Sequence, residues 1–286
     1  MQKNSQNFMN ITKSEIMSIL KEDKSSLDIT TNSIIIQNKL QKFQIISKNP
    51  NEFILCGIDC IPQAFESVMA KYSIDTIQTD GTTIKCGQTI VSGNCSVKEL
   101  LQIERSCLNL IQHLSGISTK THQFVQTLND PKIKILDTRK TIPLIRKLQK
   151  YAITIGGGFN HRMNLAQMAM IKDNHIIATG SITQAVRLIK KNQPNIQIEV
   201  ECETLAQVNE AIQSKVDIIM LDNMPIELIK EASLLIRSNS AIKIEISGGI
   251  NLSNISNYQN LDIDYISIGA LTHSVNAVDI SMEFTE

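Results

Sequence analysis

The sequence has no tryptophan, only 4% aromatic residues, six prolines and no formal net charge. It holds no apolar run of the roughly 18 residues that a membrane-spanning helix needs. Its opening, MQKNSQNFMNITKSE, has no apolar stretch of signal-peptide length. With 28 basic and 28 acidic residues in balance, there is no electrostatic reason to expect nucleic acid or an anionic membrane as partner. A soluble cytoplasmic protein is expected. Six cysteines, at 56, 60, 86, 95, 107 and 202, form no C-x-x-C pair, and Cys56 and Cys60 have no second pair at zinc-finger spacing. Buried thiols in a reducing compartment are expected. What is present, 42% apolar and 20% charged residues over 286, suffices for one large ordered domain or two modest ones.

The first third mixes helix and strand. Thr12 and Glu15 form a capping box ahead of SEIMSILKED, which predicts a helix. Lys42–Cys56 reads as a hairpin, KFQIIS and EFILC around the turn KNPN. CIPQAFESVMAKY has helical character, Asp80-Gly81 is a turn signal, and TTIKCGQTIVSGNC has strand character. Val97 to about Leu128 has helical periodicity, with Gly116 a candidate break or bend. From about residue 131, short β-prone runs alternate with helical ones. The runs are IKIL (133–136), MAMI (168–171), IQIEV (196–200), DIIML (217–221), IKIEI (242–246) and DYISI (264–268). Ser181 and Gln184 make a second capping box. Such alternation predicts βαβ units on a parallel sheet. A compact or incomplete α/β barrel fits, with an open doubly wound sheet as the alternative.

In both architectures ligands bind beyond the C-terminal ends of the strands. There the sequence sets three kinds of group. Arg139, Lys140 and Lys172 are cationic, joined by His161 and Arg162 from GGGFNHRMN (156–164). Glu201 and Asp222 are carboxylates on successive strand ends. SGG (247–249) and the glycine-alanine pair at 269–270 are turns whose peptide N–H groups can approach an anion. Cations suit a substrate with several negative charges, and carboxylates beside them suit a magnesium ion shared with phosphate groups. Spacing alone does not choose among Glu199, Glu201 and Glu203, nor between Asp217 and Asp222. His113, His122 and His175 read as structural. Glu104-Arg105 reads equally well as a helix-surface pair. The phosphate role falls to SGG and Gly269. Gly156–Gly158 read as a loop that leaves room at the barrel mouth and carries His161 and Arg162.

These residues lie in a series of motifs: EDKSSLDITT (22–31), ERSCLNLIQHLSGIST (104–119), ILDTRKTIP (135–143), YAITIGGGFNHR (151–162), IKDNHI (171–176), IEVECET (198–204), IMLDN (219–223), IEISGGIN (244–251) and YISIGALTHS (265–274). In number and order they resemble the quinolinate phosphoribosyltransferases, over nearly the full chain. The resemblance implies an N-terminal α/β sandwich domain over 1–115, with 275–286 returning to it. It implies an incomplete α/β barrel of seven-stranded type over 116–274. It implies phosphoribosyl transfer from phosphoribosyl pyrophosphate to quinolinate, with loss of carbon dioxide, in NAD biosynthesis. Arg139, His161, Arg162 and Lys172, with Thr138 nearby, match residues that bind quinolinate. Arg105 matches an arginine that family dimers insert into the neighbouring subunit's site; dimer and hexamer both stay open. Lys140, Glu201 and Asp222 match residues around phosphoribosyl pyrophosphate and its magnesium. Ser247, Gly248, Gly249, Gly269 and His273 match the phosphate and pyrophosphate region. The segment KSSL departs from the glycine-rich form usual in the first motif, and Phe159 stands where histidine is frequent.

Overall fold

The structure, a computed structural model, describes residues 11–285. Residues 1–10, which include most of the opening stretch read above, lie outside the described residues. The strands are β1 (Leu40–Ser47), β2 (Phe53–Ile54), β3 (Tyr72–Ile77), β4 (Thr83–Ile84), β5 (Thr89–Ser96), β6 (Lys134–Leu136), β7 (Ala169–Ile171), β8 (Ile198–Cys202), β9 (Ile218–Asp222), β10 (Lys243–Ser247), β11 (Tyr265–Ser267) and β12 (Ile280–Phe284). Two compact units result. Among the described residues, one comprises 11–122, Lys147–Gly157 and 274–285; the other comprises Gln123–Arg146 and Gly158–His273. Most of the helix Arg146–Ile155, which a division at 115/116 gives to the second domain, thus belongs to the first unit.

The first unit is built on an antiparallel sheet of order β12-β1-β5-β3. The expected hairpin within 42–56 does not form. A strand has two edges, and β1 gives one to β5 and the other to β12. β2 pairs instead with β4, Phe53 opposite Ile84. The helix expected over 60–72 covers Cys60–Ser67 and ends before Met69, whose φ of 53° is left-handed. The chain then enters β3, mostly exposed and alternating only over Tyr72–Asp75 before a register irregularity. The first helix, Lys13–Glu22, starts as its capping box predicts: the Glu15 N–H donates to Thr12 Oγ1 and the Thr12 N–H to Glu15 Oε2, at 3.3 and 2.7 Å.

Gly116 does not break the helix Val97–Leu128. A Cβ there would lie 2.3 Å from the carbonyl oxygen of Asn276 and 2.8 Å from Val275 Cγ1. The glycine lets the segment that leads into β12 lie against the helix backbone. Gly156 serves the same purpose, since its Cβ would stand 2.4 Å from Ser118 O. Asp80 does more than turn the chain. Its carboxylate accepts the N–H groups of Gly57 and Ile58 and the Tyr151 hydroxyl, at 2.9, 3.0 and 2.8 Å.

The second unit carries a parallel sheet of order β6-β11-β10-β9-β8-β7. Its central strands are almost continuously buried, as expected for strands covered on both faces, yet Glu199 and Glu245 sit fully buried among them. Six strands form the ladder among the described residues, as part of the expected incomplete barrel. Phe159 adds a one-residue parallel bridge on the free edge of β6, with Phe159 N donating to Ile135 O and Asp137 N to Phe159 O. At the N-terminal strand ends charges are paired off: Asp264 receives Arg237 Nη2 and Lys243 Nζ at 2.8 and 2.7 Å.

Gly116→Ala is expected to lower stability by about 1–3 kcal/mol, the usual cost of forcing extra volume into a packed contact. A melting temperature equal to the parent's would show that the 275–276 segment yields freely.

Candidate active site

Beyond the C-terminal strand ends of the second unit lies a cavity of about 660 Å³. Thr138, Arg139, Lys140, His161, Arg162, Lys172, Glu201, Asp222, Ser247, Gly248, Gly249, Gly269 and His273 all border it. Residues from every part of the strand-end pattern are therefore brought together. Arg105 is exposed on the helix Val97–Leu128 and is not among the bordering residues.

Local hydrogen bonds aim these side chains. After β6 the Lys140 N–H donates to Thr138 Oγ1 at 3.1 Å, turning the chain at the cavity. Thr272 Oγ1 donates to the Lys140 carbonyl at 2.7 Å, which ties this loop to the short helix after Gly269. Arg162 Nη1 donates to the Met168 carbonyl at 2.8 Å. After β7 the Lys172 N–H donates to His175 Nδ1 at 3.0 Å, so His175 supports the turn into the next helix. His113 likewise has a structural partner, Gln149.

Burial separates the carboxylates that spacing left undistinguished. Glu201 borders the cavity, Glu199 is enclosed beneath it, and Glu203 is exposed. Asp222 borders the cavity, while Asp217 accepts the Ile198 N–H at 2.7 Å at the far end of β8. Glu201 contacts Lys172, and Asp222 accepts the Asn223 side-chain amide at 2.6 Å. Asn223, the last residue of the motif IMLDN, takes no role of its own from the sequence. Its φ of 53°, which asparagine tolerates better than most residues, turns its N–H onto the Ser247 carbonyl. A Cβ on Gly248, at φ 99°, would fall 2.2 Å from the Asn223 side-chain oxygen. On Gly269 it would crowd Lys140 and His273, at 3.0 and 3.1 Å. Gly248 is therefore required by close approach and backbone conformation, whereas at Gly269 a side chain would have to displace Lys140 or His273 slightly. Gly156–Gly158 do not border the cavity.

Burial shifts the titration of three groups in and beneath the cavity, Arg162, Glu199 and Glu245. Burial pulls the Arg162 guanidinium down, and neighbouring Arg139 adds to this while Glu199 opposes it. Burial pushes Glu199 up to about 8, against the pull of Arg162 and Lys172. Burial also pushes Glu245 up to about 8, helped by the nearby Glu199 and opposed by His161. The sequence held no signal for this layer, because an interior strand glutamate reads like an exposed one. His161 joins it to the cavity: its peptide N–H donates to Asp137 Oδ1 at 2.9 Å, and its ring lies 3.0 Å from Glu199 and 3.5 Å from Glu245.

Residues 117–283 match the family described as quinolinate phosphoribosyl transferase, C-terminal domain, and residues 28–115 match its N-terminal domain. A probable carboxylating nicotinate-nucleotide pyrophosphorylase of Bacillus subtilis (strain 168) is 41% identical over 265 residues, 92% of this chain and 90% of that protein. The carboxylating nicotinate-nucleotide pyrophosphorylase of Mycobacterium leprae (strain TN) is 36% identical over 269 residues, covering 92% and 94%. The crystal structure of the Ehrlichia chaffeensis nicotinate-nucleotide pyrophosphorylase superposes with a TM-score of 0.89 at 41% identity, over 97% of this chain and 100% of that one.

Gly248→Ala is expected to weaken binding of inorganic pyrophosphate by about tenfold or more, because the added carbon must displace Asn223 or the turn by the ~1–3 kcal/mol typical of overpacking. Calorimetric titration of the folded variant reads this directly. Unchanged affinity would remove the 247–249 turn from the anion site.

Proposed function

The chain belongs to the quinolinate phosphoribosyltransferase family, and from that premise we propose how its cavity divides the family's reaction among its side chains. The reaction joins quinolinate to phosphoribosyl pyrophosphate and yields nicotinate mononucleotide, pyrophosphate and carbon dioxide. One observation carries the reading: a cluster of Arg139, Lys140, Arg162 and Lys172 shares a single cavity with Glu201, Asp222 and two glycine turns.

Arg139, Arg162 and Lys172 take the two carboxylates of quinolinate. The planar fork of arginine suits bidentate pairing with a carboxylate. A buried Arg139 Nε with no hydrogen-bond partner among the described residues supports an anionic ligand at this wall. Lys140, the Ser247–Gly249 turn, Gly269 and His273 take the phosphate groups, with peptide N–H groups supplying donors. Glu201 and Asp222 are the donors for a magnesium ion. Their number fits, since magnesium is usually held by one or two carboxylates together with substrate phosphates. When bound, that ion neutralises charge on the departing pyrophosphate.

As the bond from ribose C1 to pyrophosphate breaks, positive charge grows on the ribose and negative charge on the leaving group. Lys140 stabilises the leaving group, and the carboxylates favour the ribose cation. The arginines hold the pyridine nitrogen in line with C1, so that proximity removes much of the barrier. The alkylated nitrogen then stabilises the electron pair left at C2 when carbon dioxide departs, and that carbon takes a proton. No protein nucleophile is required. A second copy of the chain contributes Arg105 to this site in a homodimer, dimer and hexamer both being compatible with that arrangement.

Release of carbon dioxide and pyrophosphate from quinolinate, measured with and without magnesium, tests the whole reading; absence of both products under all conditions would refute it. Arg162→Ala should raise the KM for quinolinate by about 10- to 100-fold, the worth of a charge-assisted hydrogen bond, with little change for phosphoribosyl pyrophosphate. Asp222→Asn should weaken the dependence on magnesium, and wild-type dependence would exclude that role. Mixed dimers of Arg105→Ala and Arg162→Ala subunits should regain part of the lost activity, whereas inactive verified heterodimers would count against sharing.

A further inference from the structure

We propose that Glu245 and Glu199 are positioning residues for substrate recognition: together they hold His161 as its Nε2–H tautomer, and His161 in turn fixes the Arg162 peptide whose side chain enters the cavity. The proposal rests on the reading of this cavity as the quinolinate site.

A peptide N–H can only donate. The Arg162 N–H lies 2.7 Å from His161 Nδ1, so Nδ1 must offer its lone pair, and the proton of the neutral ring sits on Nε2. Nε2 faces two carboxyl groups, Oε2 of Glu199 at 3.0 Å and Oε1 of Glu245 at 3.5 Å. Both carboxyls are fully buried, with the Ser267 hydroxyl a further neighbour of Glu245, so this N–H is one of the few nearby donors the structure shows for them. The His161 peptide is held as well, by Asp137 at 2.9 Å. Glu199 on β8 and Glu245 on β10 thus flank the imidazole while Asp137, just after β6, holds the peptide, and the ring passes that constraint to the next residue. Arg162 is then fixed at both ends, its peptide by His161 and its guanidinium by the Met168 carbonyl at 2.8 Å. The Glu245 carboxyl is pushed up to about 8 by burial, which leaves its neutral form a close match for a glutamine amide.

His161, Glu199 and Glu245 also have the composition of a metal site, their donor atoms lying within 4.8 Å of one another. A cation on Nε2 would require the proton on Nδ1, where it would meet the Arg162 N–H donor to donor. The hydrogen-bond pattern therefore favours a protonated Nε2 over a metal.

The test combines spectroscopy and kinetics. In protein labelled with ¹⁵N-histidine, and with the signal assigned by the loss in His161→Asn, His161 should show a protonated Nε2 and an unprotonated Nδ1 in the absence of substrate. Glu245→Leu should raise the KM for quinolinate by about 10-fold or more, as loss of an orienting partner commonly does, and leave that for phosphoribosyl pyrophosphate within about twofold. Glu245→Gln and Glu199→Gln, which keep an acceptor oxygen and the side-chain shape, should remain within about threefold of the parent. A protonated Nδ1 in the parent protein would overturn the proposal. So would a folded Glu245→Gln as impaired as Glu245→Leu, or a stoichiometric transition metal lost on Glu245 substitution. The tautomer is read without substrate, so failure of the parent protein to use quinolinate would sink the functional reading and leave this spectroscopic result to stand or fall alone.

Discussion

Opposite charges enclosed in a common cavity attract strongly, and a site that is to take charged ligands must keep its own cations and carboxylates from satisfying one another. This chain meets that constraint chiefly with neutral partners. The Arg162 guanidinium is oriented by the Met168 carbonyl, Asp222 by the Asn223 amide, and the Lys140 loop by hydroxyls of Thr138 and Thr272. A dipole can aim a charge without cancelling it, so these groups keep their electrostatic capacity for ligand. Lys172 and Glu201 touch directly and are the exception. In the proposed reaction each is claimed by a different ligand, quinolinate for one and magnesium for the other. Arrival of either ligand would release a side chain for the other.

The opposite ends of the same sheet show what happens where no ligand is served. At the N-terminal ends, Asp264 is taken by Arg237 and Lys243, and Asp217 by a peptide N–H. Charge there closes the fold. Identical residue types thus do different work according to the strand end that carries them.

Much of this was legible in the sequence because it depends on local order. Runs such as DIIML and IKIEI are short, apolar and bounded by helical periodicity, so the parallel unit and its strand-end residues could be read in succession. Non-local choices could not. Nothing in KFQIIS or EFILC reveals that β1 has both edges occupied by β5 and β12. The segment YSIDTI alternates only over its first four residues before the irregularity at Ile74/Thr76, too short a signal to mark a strand. Gly116 reads as a helix breaker until Asn276 is seen pressing on it. Glu199 and Glu245 look like any charged strand residues, and only their enclosure beside His161 gives them a role. Phe159, set aside in the sequence, proves to act through its backbone, as a bridge to β6.

The place of β12 in the first unit bears on the order of synthesis. β1 needs β12 along one edge, yet β12 leaves the ribosome only after the whole of the second unit. A nascent chain therefore carries an open β1 edge while the parallel sheet is being made. Unpaired edges template association with other chains, and long-range pairing is slow to form. The exposure of that edge thus falls in the course of synthesis, before the site in the second unit can meet any ligand.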